Sequence, residues 1–297
     1  MRTLATPRKS RIIAVFACAL AMMTGAAVVL PGSAAPALVI TPVPVPVFGL
    51  RPVAFLPTVF SSVRSMILPP GSALPSDAAC AARVRQRPEN KHMNVAYNAT
   101  TGHQQLGGDI FGGSDPRANA EIIPRVTGNF SGTTDMILQW AACKWGIDED
   151  LVRAQAAVES WWRQPAKGDW GTDPDRCPPG HGPGVDDPIN HPDECPESWG
   201  ILQTRFPYER SAWPDAADST AFETDTACAI WRACYEGYEW WLNDVEHGQT
   251  YAAGDVWGCV GRWYAGRWRT PEAETYISKV KNYLDNRIWE SPYFQEP

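Results

Sequence analysis

No acidic residue precedes Asp77 in this 297-residue sequence, no tryptophan precedes Trp140, and beyond residue 11 Lys and Arg nowhere form a dense cluster. The last absence excludes a class of partners. With 26 basic against 33 acidic residues and a net charge of −7, the chain has no electrostatic footprint for nucleic acid. Nor would long-range attraction hold it on an anionic envelope. No EF-hand spacing is present, so calcium finds no loop of the usual ligand pattern. No Cys stands in a nucleophile setting with a partnered His, which sets aside cysteine-peptidase chemistry. No alternating run of useful strand length is present either, and the fold class expected is mainly α.

The acid-free beginning has its own logic. Arg2, Arg8, Lys9 and Arg11 precede an uncharged apolar run over 12–30, and small residues follow at Ser33, Ala34 and Ala35. A basic start, an apolar centre and a small-residue site make a signal peptide over 1–35, cut near 34–37. The run is also long enough for an uncleaved anchor. Cleavage removes four positive charges and takes the net charge to about −11. The expected destination is outside the cell or in its envelope, with no membrane contact beyond that first segment. Residues 36–75 are apolar and proline-rich, which suits an extended linker. Residues 76–130 carry Gly, Asn and Pro with weak periodicity and read as an irregular lead-in. All fourteen tryptophans lie between Trp140 and Trp289, and this shift marks one folded domain over 131–290, with a tail over 291–297. The expected protein is a monomer. Seven cysteines follow the first segment; in an exported protein they imply disulfides and, being odd in number, one thiol left over.

Inside the domain the helix signals are clear. Thr133 or Thr134 can cap a helix over 135–144 that Gly146 closes. Asp148 opens a second, with Glu149 and Asp150 in its first turn where negative charge suits the dipole, running to about Trp162. A third starts near Ser219 or Thr220 and places Cys228, Trp231, Tyr235, Tyr238 and Leu242 on one stripe. A fourth follows Asp255 and reaches Tyr264. Thr270-Pro271 starts a fifth, with Ile277, Val280, Leu284 and Ile288 as its core face.

The second helix carries the chemistry. In LVRAQAAVESWW, Glu159 shares a stripe with Val152, Gln155 and Ala156. A carboxyl there, beside Trp161 and Trp162, would be partly desolvated, and desolvation raises a Glu pKa above its reference of about 4.3. That is the property a general acid for glycosidic cleavage needs. On the helix alone, a solvent-facing Glu is an equal reading. Two later segments change that: Ser198-Trp199-Gly200-Ile201-Leu202-Gln203, and Trp263-Tyr264-Ala265-Gly266.

Together with Glu159-Ser160, these resemble the lysozyme-like lytic transglycosylases. That family has a Glu-Ser at a helix end, then a Ser-x-Gly-Leu-Met-Gln-like turn, then an Ala-Tyr-Asn-Ala-Gly-like segment. Here Ile-Leu replaces Leu-Met, and the third element lacks its Asn. The resemblance covers about 130–290. It implies a lysozyme-like α domain that cleaves peptidoglycan strands without a cofactor. Glu159 would be the acid, with Gly200 admitting the sugar to the backbone. Ser198 and Gln203 would bond the sugar, and Trp263 or Tyr264 would orient Glu159. Trp161, Trp162, Trp199, Trp263 and Trp268 could stack on sugar rings, though core packing is the commoner fate of a tryptophan.

In the family the first two elements lie close together, whereas here 38 residues separate Glu159 from Ser198. The insert, 164–197, is rich in Pro, Gly and Asp and has no helical period. Cys177 and Cys195 bracket its centre. They read as a disulfide contributing on the order of 3 kcal/mol. Alternatively, with His181 and His191, they form a zinc-like ligand set; the oxidising setting favours the disulfide and no metal. The leading expectation is a lytic transglycosylase cutting between N-acetylmuramic acid and N-acetylglucosamine. Its rivals are a goose-type hydrolase, in which Asp169 or Asp173 activates water, and a catalytically inert wall-binding module.

Overall fold

The computed structural model describes residues 67–296, and the expected signal segment and most of the Pro-rich linker lie outside them. The described part is mainly helical, with α1 (Asp77–Ala81), α2 (Val95–Asn98), α3 (Thr134–Trp145), α4 (Glu149–Ser160), α5 (Asp215–Asp218), α6 (Thr220–Glu236), α7 (Val256–Ala265) and α8 (Pro271–Asp285). Among the described residues no helix is long and apolar enough to cross a membrane. Four of the five long helices start on a capping side chain, whereas Thr133, expected to cap α3, makes no such bond. Asp148 accepts from the amides of Asp150 and Leu151, Ser219 from Phe222, Asp255 from Gly258 and Thr270 from Ala273. Such side chains answer amides that a helix start otherwise leaves unpaired. Gly146, Gly237 and Gly266 close α3, α6 and α7 in the left-handed conformation, as C-terminal glycines do. Gly237 stops α6 before Tyr238 and Leu242, so those two reach the core from the following turn.

α3 packs on α6, while α4 and α7 both pack on α8. Between α3 and α6 sits a buried ion pair, Lys144 Nζ to Asp225 at 2.7 Å. Asp225 also accepts from the Trp145 indole and from the amides of Thr127 and Gly128. Removing one partner of such a pair costs about 3–5 kcal/mol, because the other charge stays buried.

The folded unit begins earlier than the tryptophans suggest. Residues 76–130 are irregular, yet Cys80, Leu106, Phe111, Ile122 and Val126 belong to the same core as the helices. Glu89, from this segment, bonds the amide of Thr134 at the start of α3. Asn98, in a glycosylation-like triplet, is buried and bonded to Glu89 and Thr134. The tail is structural as well: Phe294 is fully buried and Glu296 pairs with Lys91 and Arg163.

Among the described residues the cysteines form three disulfides, Cys80–Cys143, Cys177–Cys195 and Cys234–Cys259, and leave Cys228 free and buried. The second is the pair expected in the insert, and it takes both thiolates away from the zinc-like set.

The insert is not wholly irregular, contrary to expectation. Its beginning is β1 (Lys167–Gly171), which pairs antiparallel with β2 (Cys195–Trp199), and β2 pairs with β3 (Thr204–Arg205). Lys167 opposes Trp199, and Gly168 opposes Ser198. Asp169, at φ +49°, interrupts the pairing before Trp170 meets Pro196.

Candidate active site

Glu159 lies in the last turn of α4. Trp161 ends that helix in the left-handed conformation, a costly position for a residue with a side chain. The two indoles expected beside the carboxyl are engaged elsewhere. Trp162 is fully buried and donates to Arg153 O, and Trp161 packs on Phe294 of the tail. What desolvates Glu159 is α8. The Tyr276 hydroxyl donates to Glu159 Oε1, and Gln155, one turn earlier on α4, bonds the same phenol. Tyr264, on α7, stacks face to face on Tyr276 with ring centroids 4.9 Å apart. The aromatic partner of Glu159 is therefore Tyr276, with the expected Tyr264 one ring behind it. Trp263 turns its indole N–H to Leu202 O at 2.9 Å.

Glu159 is partly exposed as a residue, while its carboxyl is removed from bulk water. Desolvation pushes its pKa up to about 8, the Tyr276 hydrogen bond and Lys279 pull it down, and the charge of Asp169 pushes it up again. A carboxyl whose pKa is raised this far has the property a general acid needs.

The turn after β2 is fixed to this helix end from four sides. Ser160 Oγ donates to Ile201 O at 2.7 Å, and the Ile201 amide donates to Gln164. Trp263 holds Leu202 O. Glu223, wholly buried on α6, accepts from the amides of Leu202 and Thr204 and from the Thr204 hydroxyl. Gly200 is at φ +89°, and a Cβ there would come within 2.6 Å of Glu223 Cγ, so the turn admits only glycine at this position. Burial also drives Glu223 up to about 8, against its hydrogen bonds, and the charge of Glu159 adds to the rise.

Ser198 and Gln203 meet, as two residues of one site should, but they meet each other. Ser198 is buried and donates to Gln203 Oε1 at 2.9 Å, and Gln203 Nε2 reaches Gly200 O at 2.8 Å. Gly168 leaves room for that amide: a Cβ on it would collide with Gln203 Oε1. Of the two aspartates singled out, Asp169 is near enough to act on Glu159, is about half exposed, and contacts Arg205 at 3.4 Å. Asp173 is exposed on the surface, where it caps the short turn Pro174–Arg176. Sequence reasoning missed Tyr276 and Glu223. The heptad-like spacing of α8 made the first look like core, and a first-turn acid looks like a dipole partner.

Set against protein-family models, curated proteins and solved structures, the chain matches none.

Proposed function

We propose that this chain is a lysozyme-like lytic transglycosylase that cleaves peptidoglycan with Glu159 as its one acid–base group. The observation that carries the reading is the Glu159–Tyr276 contact. It joins a desolvated carboxyl to a fixed donor, beside a turn pinned by Ser160 and Glu223. In the reaction Glu159 gives its proton to the oxygen linking N-acetylmuramic acid to N-acetylglucosamine as the C1–O bond breaks. The muramyl 6-hydroxyl oxygen then attacks C1, and its proton returns to Glu159. No water is consumed, and the product is a 1,6-anhydro ring. One group suffices for both transfers, unlike two-carboxylate hydrolysis. The disulfides and the acidic charge suit an exported protein.

A second reading has one observation behind it: the charge of Asp169 acts on Glu159, as a base activating water in an inverting or goose-type hydrolase would. Digesting purified peptidoglycan and weighing the fragments separates the two. Ends lighter by one water than reducing ends support transglycosylation, and reducing ends move the assignment to hydrolysis. No released fragments at all would overturn both.

A further inference from the structure

A cavity of about 450 Å³ opens on the other side of the small sheet, lined by Tyr97, Lys167, His181, Trp199, Trp213 and Asp218 together with three prolines. Lys167 and Trp199 are cross-strand partners, and their neighbours Gly168 and Ser198 face Gln203. Side chains alternate along a strand, so the cavity and the Gln203 side of the sheet are opposite faces of one structure. The insert builds much of it. Asp186, nearly buried, takes Lys167 Nζ at 2.5 Å and His181 Nδ1 at 3.0 Å, and Lys167 lies 4.5 Å above the Trp199 ring. Trp213 meets both His181 and Trp199 edge to face. The Cys177–Cys195 bond holds the loop that carries His181.

The polar atoms of this cavity are left open on both sides of the hydrogen-bond ledger. Trp199 is 7% exposed and lends the cavity its ring rather than its indole N–H, which is buried. Lys167 has donors beyond the one Asp186 takes. Since Asp186 faces Nδ1 of His181, Nε2 is the ring nitrogen left for a ligand. Asp218, exposed on the rim, adds a second acceptor. The only cation lining the cavity is neutralised by Asp186, which argues against a phosphate. A proline-rich peptide would suit the aromatic walls but offers carbonyls without N–H groups, leaving the acceptors unanswered. A pyranose answers both: its ring faces are apolar, and its hydroxyl and acetamido groups donate and accept. The volume lies within the usual range for small-ligand sites, roughly 300–1,000 Å³.

We propose that this cavity, which Glu159 does not line, is a second glycan-binding site that holds an N-acetylated β-1,4 glycan while cleavage occurs at Glu159. The choice of that glycan rests on the function proposed above. The cavity and its unmatched donors and acceptors do not.

The test uses tetra-N-acetylchitotetraose, titrated calorimetrically into the full chain carrying Glu159→Gln so that nothing is turned over. Tyr97→Ala and Trp213→Ala are then added separately; they lie on different elements, so the test survives if one fails to fold. The expected result is a binding event that each addition weakens at least tenfold. In the otherwise wild-type chain the same two substitutions should leave cleavage of short soluble glycans within twofold and reduce retention on insoluble peptidoglycan. Isotherms that both additions leave unchanged within twofold overturn the second site, even if cleavage is intact. So does the absence of any binding to the tetramer, or binding of a proline-rich peptide in its place. A wild-type chain that binds the tetramer through Tyr97 and Trp213 but cleaves no glycan supports this inference and overturns the catalytic one.

Discussion

Tyr264 and Tyr276 lie parallel within 3°, and it is the second that touches Glu159. The ring on α7 therefore acts on the acid only through the ring on α8. Tyr264 covers the phenol from solvent, and Tyr276 holds the carboxyl.

Replacing Glu159 with Gln keeps the shape and removes the transferable proton. We expect a folded protein with a melting temperature close to that of the wild type and activity on peptidoglycan lower by about 10²–10⁴-fold, the usual worth of general acid–base catalysis. Near-normal turnover by the folded variant would remove Glu159 from the mechanism.

On the mechanism proposed above, the protonated form of Glu159 starts the cycle, so the rate should hold at neutral pH and fall as pH rises through about 8. The Tyr276 bond favours the charged carboxylate. In Tyr276→Phe the alkaline limb should therefore move upward, by about one to two units, since hydrogen bonds to charged groups are worth about 1.5–3 kcal/mol. The maximal rate should drop severalfold as the carboxyl loses its anchor. A limb that moves downward, in a pH–rate profile of the folded variant, would contradict this arrangement.

Glu223 gives a stability prediction with a definite sign. Its folded pKa, about 8, lies above the ordinary value of 4.5, so the native state holds a proton that the unfolded chain releases. The resulting stabilisation is complete below about pH 4.5 and is lost as pH climbs through 8. The loss can reach about 1.4 kcal/mol per pH unit across that window for one such group. Glu223→Gln cannot titrate, so its denaturation midpoint should change less between pH 5 and 8 than that of the wild type. Parallel curves for the two proteins would show that Glu223 is already charged in the fold.

Replacing Cys177 and Cys195 together with Ser should loosen residues 177–195 and leave the helical core standing. The expected signs are new protease cuts in the insert and a stability loss of up to about 3 kcal/mol. The far-ultraviolet spectrum should be unchanged. A variant that fails to fold at all would show that the insert organises the domain rather than decorating it.

The long helices were legible because each carries its own punctuation, from Asp148 at one start to Gly266 at one end. The sheet was not. KGDWG and CPESW contain no β-branched residue and no clean alternation, and strand preference is largely a matter of fit to a half-buried surface. β2 is buried along its whole length, which removes the polar half of the pattern. Ser160 and Gly200 were singled out from their order in the chain, and the structure brings them to one turn, which Ser160 bonds at Ile201 O. Ser198 and Gln203 were expected to face the sugar and instead bond each other. Tyr276 had no local signal at all: with Ala273, Ile277 and Val280 it falls on the buried side of an ordinary amphipathic helix, and only the packing of α8 on α4 gives it an acid to hold.

That packing also sets a time. Glu159 and Tyr276 are separated by 117 positions, and the aromatic residue beneath Trp161 and Trp162, Phe294, comes later still. A chain synthesised or exported from its N-terminal side contains the carboxyl long before it contains the group that holds it. Until α8 docks, Glu159 sits in water and titrates as an ordinary acid, ionised at neutral pH and unable to protonate a leaving group. Catalytic competence on this reading arrives with the last part of folding.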